Sequence, residues 1–196
     1  FPKEYVDHEI PTHLIIEPVS ACNLRCIMCY QIDESFTNSK EFMGKMSLDL
    51  FKKIIDDAHA IGVKAITLTG RGEPTLHQKL AEMIEYVATK ENIFEFKLNS
   101  NATFLSKKIC HAIFKNNVNQ VVISGDHYIK EDYERLRLNC NFEDVVKRVD
   151  MLFNIRKDFY PESTTEIRVS GIDNEKTLNR EKFRDFWIKR SDHVTA

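Results

Sequence analysis

Apolar residues along this chain fall into two alternating kinds of run. Short stretches rich in β-branched residues read as strands: HLIIEPV (13–19), KAITLTG (64–70), IFEFKLN (93–99), QVVIS (120–124) and TEIRVSG (165–171). Between them, apolar residues recur at three- and four-residue intervals, the spacing of a helix that buries one face. Phe51, Ile54, Ile55 and Ala58 mark a helix over 47–61, with Ser47 placed to cap its start and Gly62 to end it. Leu80, Met83, Ile84 and Val87 line a second helix, and Ile109, Ala112 and Ile113, opened by Ser106, a third. The charged stretch 130–138 predicts a short helix, and Val145, Val149 and Leu152 predict a longer one over 142–158. Thr177 is placed to cap a last helix through Phe183, Phe186 and Trp187, and HVTA (193–196) reads as the first residues of a sixth strand.

Strand and helix in strict alternation imply right-handed βαβ units and a parallel sheet, an α/β fold. Periodicity alone does not separate an open doubly wound sheet from a partial barrel. Both put every strand-to-helix loop at one rim, where ligands bind. The unusual residues lie at those loops. SACNLRCIMCYQ follows the first strand, GRGEP (Gly70, Gly72, Glu73, Pro74) the second, and LNSNATFL (Asn99, Ser100, Asn101) the third. Ser124 and Asp126 close the fourth strand, and Arg168 and Ser170 lie on the fifth. The polar loop 30–46 is long enough to be functional rather than a simple connection.

Composition narrows the setting. The 196 residues are 42% hydrophobic and 30% charged, enough for one domain with a real core. A net charge of −2 gives no global attraction to nucleic acid or to an anionic membrane. No apolar run is long enough to span a bilayer and no secretory signal opens the chain. The first residue is Phe1 rather than Met, which predicts sequence upstream. Of the five cysteines, Cys22, Cys26 and Cys29 lie within eight residues, with Cys110 and Cys140 far away. That arrangement argues against a disulfide framework and for a metal or redox site in a reducing compartment, the cytoplasm.

Three crowded thiolates select zinc, copper(I) or an iron–sulfur cluster. A structural zinc site wants a fourth ligand, which His77 or His127 would have to supply. A four-iron cluster held by three cysteines leaves one iron open to a substrate or cofactor.

CNLRCIMC resembles the cysteine signature of the radical S-adenosylmethionine (radical SAM) superfamily. The supporting motifs follow in family order: GRGEP resembles the Gly-Gly-Glu-Pro motif, LNSNATFL the Thr-Asn-Gly-like turn, and ISGD with YERLR the Ser-x-Asp segment. The resemblance implies a partial (β/α)6 barrel, cut off in its sixth strand, with residues 1–196 forming the radical SAM core domain. It implies a 4Fe-4S cluster ligated by Cys22, Cys26 and Cys29, and S-adenosylmethionine chelated to the open iron. Reductive cleavage of that cofactor would release methionine and a 5′-deoxyadenosyl radical, which takes hydrogen from a peptide or small-metabolite substrate. Such an enzyme needs an electron donor such as a flavodoxin or ferredoxin.

Under this resemblance Glu73 accepts from the cofactor's amino group, Gly70 and Gly72 let the backbone approach it, and Pro74 fixes the turn. Arg168 grips its carboxylate, Ser124 a ribose hydroxyl, and Met28 and Tyr30 form the adenine wall. Asp126, the candidate catalytic residue, and Asn101 would face substrate. The motif forms look most like the branch that carries a C-terminal SPASM or twitch auxiliary cluster domain. No cysteine follows position 140, so the expectation is a fragment or a protein without that domain.

Plainer readings stand beside these. GRGEP alone is a strand-to-helix turn, Arg168 a salt-bridge partner, Ser124 a strand cap, and Asp126 a residue bonded to its own turn. Cys110 is a buried small hydrophobe, Cys140 a loop residue, and KEDYERLR a solvated helix face. A non-catalytic iron–sulfur or zinc module, or a scaffold, remains the alternative to the enzyme.

Overall fold

The computed structural model describes residues 10–172 and 178–196. Along the chain come β1 (His13–Ile16), β2 (Arg25–Cys26), α1 (Glu34–Thr37), α2 (Leu48–Ile61), β3 (Ala65–Leu68), α3 (Leu80–Val87), β4 (Glu95–Ser100) and α4 (Lys107–Lys115). They are followed by β5 (Gln120–Ser124), α5 (Lys130–Leu136), β6 (Arg137–Leu138), α6 (Phe142–Phe159), β7 (Glu166–Ser170), α7 (Arg180–Trp187) and β8 (His193–Thr195). Six of the strands form one parallel sheet in the order β1-β3-β4-β5-β7-β8. Each new strand adds beside the previous one and the order never reverses. A doubly wound sheet needs a reversal, so this is the progression of a barrel, left open between β1 and β8.

Helix ends follow the local chemistry of the sequence. The Ser47 hydroxyl accepts from the Leu50 N–H at 3.1 Å, and Gly62 at φ 89° takes the left-handed turn that stops α2. Ser106 caps α4 through the Ile109 N–H at 3.3 Å. The expected cap at Thr177 lies outside the described residues; Asn179 caps α7, accepting from the Lys182 N–H at 2.9 Å.

The core sits between the sheet and the helices. Ile66, Leu68, Leu98, Val121, Ile123, Ile167 and Val169 are fully buried on the helix-facing side. Against them pack Phe51 and Ile55 of α2, Met83 and Ile84 of α3, Ile113 of α4, Val149 and Leu152 of α6, and Phe183 and Trp187 of α7. The period-two alternation sends Ile15, Thr67, Asn99, Val122 and Arg168 to the inner face. Cys110 is fully buried, as its helical position predicts, and burial pushes its thiol up to about 12.

Three local expectations change. The long loop after the cysteines contains α1, capped by Asp33 accepting from Ser35 N–H at 2.8 Å. The charged helix stops at Leu136 rather than Leu138, because Arg137 and Leu138 extend to pair antiparallel with Arg25 and Cys26. Nor is that helix a plain solvated face: Tyr133 and Leu136 are buried. Among the described residues, no helix is long and apolar enough to cross a membrane.

Leu98, at the centre of β4 with no exposure, sets a test of this core. Leu98→Ala should lower the unfolding free energy by about 3 kcal/mol through lost transfer energy and a residual cavity. Urea denaturation monitored by circular dichroism measures it.

Candidate active site at the rim of the sheet

The first strand leaves the sheet at Ile16, and its continuation is pinned to two other loops. Gln31, buried just past the third cysteine, donates from Nε2 to the Ser20 and Arg71 carbonyls, both at 2.7 Å. The Glu73 N–H donates to the Ala21 carbonyl at 3.0 Å. Gly72 lies so close to this segment that a Cβ there would run into the Val19 and Ala21 carbonyl oxygens. Gly70, at φ 148°, packs against the Glu17 side chain. Arg71, between the glycines, turns outward to a Glu17 ion pair at 2.7 Å.

Glu73 is only 3% exposed. Its Oε1 accepts from the Ser100 hydroxyl at 2.7 Å, the Thr75 hydroxyl at 2.6 Å and the Thr75 N–H at 3.0 Å. Its Oε2 accepts from the Asn101 N–H at 2.7 Å and keeps a second lone pair. The carboxylate therefore joins the loop after β3 to the loop after β4.

These loops surround a cavity of about 320 Å³, within the range of small-molecule sites. All three cysteines line it, with Met28, Tyr30, Gly70, Gly72, Glu73, Pro74 and Ser124. Asn99, Ser100 and Asn101 contribute from β4 and its loop, and Ile172 from the segment after β7. Predicted residues from four separate segments thus meet at one rim, and the fifth is represented by Ile172 alone.

Two predicted residues do not join them. Arg168 lines a separate cavity of about 420 Å³ and donates to the Thr195 hydroxyl at 3.0 and 3.2 Å. Asp126 is 2% exposed, 2.6 Å from an Arg137 nitrogen, and accepts from the Ile172 N–H at 3.1 Å. It is a buried ion-pair partner rather than a group open to substrate. Conversely, Arg137 and Gln31 went unmarked in the sequence, though Arg137 lines the cavity. Arg137 closes the YERLR stretch, whose charges hid its burial. Gln31 carried no signal beyond standing two residues after Cys29.

The donor chemistry fits a cluster better than a zinc ion. His77 Nε2 is engaged with the Met46 carbonyl at 2.9 Å and its Nδ1 accepts from the Lys79 N–H at 3.1 Å, and neither His77 nor His127 lines the cysteine cavity. Among the described residues, no three acidic, cysteine or histidine side chains are grouped to hold a single ion. Three thiols around one cavity suit a cluster in which each sulfur binds its own iron. Burial raises the Cys22 thiol, and burial pushes Cys26 up to about 11 although the Arg137 charge pulls it down. Burial therefore favours the neutral form of Cys22 and Cys26 until a metal offsets the charge, and metal uptake there releases protons.

The family model for the radical SAM superfamily matches residues 16–180. Over 115 residues the chain is 34% identical to the tungsten-containing aldehyde ferredoxin oxidoreductase cofactor-modifying protein of Pyrococcus furiosus, covering 58% of this chain and 30% of that one. Over 174 residues it is 24% identical to the GTP 3′,8-cyclase of Desulforamulus reducens, covering 89% and 50%. The chain thus spans about half or less of the length of these curated relatives. Among solved structures, Streptococcus suis SuiB bound to S-adenosylmethionine superposes with a TM-score of 0.72 at 18% identity, covering 92% of this chain and 39% of SuiB. The anSMEcpe structure with bound AdoMet and Cp18Cys peptide gives 0.69 at 22% identity, covering 94% and 50%. At such identities these two structures show the fold, a partial barrel.

A Gly72→Ala substitution tests the packing of the rim. With no room for the added methyl, the 71–73 loop must move, and stability should fall by about 1–3 kcal/mol. Thermal and urea denaturation of the variant read this loss.

Proposed function

We propose that this chain, which belongs to the radical SAM superfamily, is the core of an enzyme that cleaves S-adenosylmethionine reductively and abstracts hydrogen from a peptide or small metabolite. Members of the family bind a 4Fe-4S cluster and S-adenosylmethionine. The observation that carries the reading is the single cavity lined by Cys22, Cys26 and Cys29 together with Glu73 and the glycine loop. A cluster held by these thiolates would supply one electron to the sulfonium, giving methionine and a 5′-deoxyadenosyl radical.

The chain's own groups have separable tasks. Cys22, Cys26 and Cys29 hold the metal. Glu73 presents the unused lone pair of Oε2 to the cofactor's ammonium, a charge-assisted bond. Its other four bonds fix the direction of that lone pair. Gly70 and Gly72 keep the adjoining backbone bare of side chains, and Met28 and Tyr30 give an apolar wall for the adenine. Ser124 reaches the cavity from the end of β5, where its hydroxyl suits a ribose. Arg168, in a separate cavity, is not part of this cofactor site.

The substrate class draws on what similar proteins bind. SuiB has been solved with its precursor peptide SuiA, and anSMEcpe with Cp18Cys peptide. The GTP 3′,8-cyclases extend the comparison to a nucleotide. A low-potential donor such as a flavodoxin or ferredoxin is the proposed electron source.

Anaerobic reconstitution with iron and sulfide, followed by dithionite and S-adenosylmethionine, tests the proposal. The protein should turn brown and release 5′-deoxyadenosine; alanine at any one of Cys22, Cys26 or Cys29 should abolish both cluster and product. Metal uptake without 5′-deoxyadenosine from the native sequence would favour the non-catalytic module instead.

Glu73→Gln should leave iron content unchanged and weaken S-adenosylmethionine binding about tenfold or more, since an amide removes the charge and turns donors against donors. Calorimetry on the reconstituted protein measures it.

A further inference from the structure

The strongest unassigned feature is a buried cation beside the cysteine loop. Arg137 lines the same cavity as the three cysteines, and its side chain is 9% exposed. Its Nη1 donates toward Cys26 Sγ at 3.7 Å. Its Nη2 lies 2.6 Å from Asp126 Oδ2, a charge contact without hydrogen-bond alignment. Its Nε is buried with no acceptor among the described residues. The guanidinium carbon stands 5.8 Å from the centre of the Tyr133 ring, and the Tyr133 hydroxyl donates to the Ser124 carbonyl at 3.1 Å.

Backbone pairing puts this cation there by register. In the β2–β6 ribbon, Cys26 stands directly opposite Arg137, and the Ile27 N–H donates to the Leu136 carbonyl at 3.0 Å. A buried guanidinium with an unmet N–H is costly unless an anion completes it. Asp126 supplies part of that anion. The remaining neighbour of matching chemistry is the set of thiolates and sulfides that the cysteines would gather.

We propose that Arg137 is a positioning residue of the metal centre: its guanidinium, oriented by Asp126, donates to the Cys26 sulfur and raises the reduction potential of the cluster. The inference rests on the reading that Cys22, Cys26 and Cys29 hold a cluster. The physical reason is differential stabilisation. Reduction adds negative charge to the cluster, and an N–H aimed at a ligand sulfur stabilises the reduced form more than the oxidised one. Cys22 has a weaker counterpart in Asn101, whose Nδ2 approaches its sulfur at 3.8 Å. Arg137 adds a full charge, partly balanced by Asp126.

The test compares wild type, R137K and R137M after anaerobic reconstitution, with iron content per chain and the midpoint potential from an EPR-monitored titration. Wild type without a cluster would overturn the underlying reading and this inference with it. Given a wild-type cluster, R137M should bind iron but show a more negative potential and altered g-values, and R137K should lie between the two. An unchanged potential in R137M overturns the inference, as do equal shifts in both variants, which would report a displaced ribbon rather than a lost donor. Where R137M does not fold, R137K decides: a lowered potential with changed g-values supports the role, and a wild-type potential and spectrum remove it.

Discussion

Four hydrogen bonds converge on the buried Glu73 carboxylate and join the loops after β3 and β4 directly. A parallel sheet delivers its loops to one rim, but it does not fix their mutual spacing. Glu73 does that by accepting from Ser100 and Asn101 on one side and Thr75 on the other. The Glu73 N–H then ties the same unit to Ala21, at the root of the cysteine loop. Charge at this position is tolerated only because its acceptors are nearly filled from within the chain. What is left, one lone pair on Oε2, is the part that faces outward as chemistry.

The main elements of the fold were legible in the sequence because their signals are local. Ser47 and Gly62 mark the ends of α2 by capping and by a left-handed turn, and both work through neighbouring backbone. The alternation in β4 follows from burial of one face of a strand, so Phe96 and Leu98 announce it. Sequential strand order, in contrast, is a tertiary fact. The spacing of apolar residues is the same in a doubly wound sheet, and the resemblance to a known family, not periodicity, carried the partial barrel.

Within the site, the three cysteines, the glycines, Glu73 and Ser124 line one cavity. Two other candidates lie elsewhere. Arg168 and Asp126 carry suitable charges, yet Arg168 lies too far along β7 from the rim and faces Thr195. Asp126 turns inward because a buried guanidinium awaits it. Arg137 could not be read at all, since its meaning lies in a two-residue pairing with Cys26 across a sequence separation of 111 residues. No window of sequence holds both partners.

That ribbon makes distant segments share one equilibrium. On the proposed reading, iron held by Cys26 would favour the extended β2 on which β6 pairs. Thermodynamic reciprocity then makes the coupling equal in both directions: iron would firm the pairing of β6 by the same free energy by which that pairing strengthens iron binding. A mutation far along the chain, touching neither sulfur nor cofactor, would then act as a metal-affinity mutation.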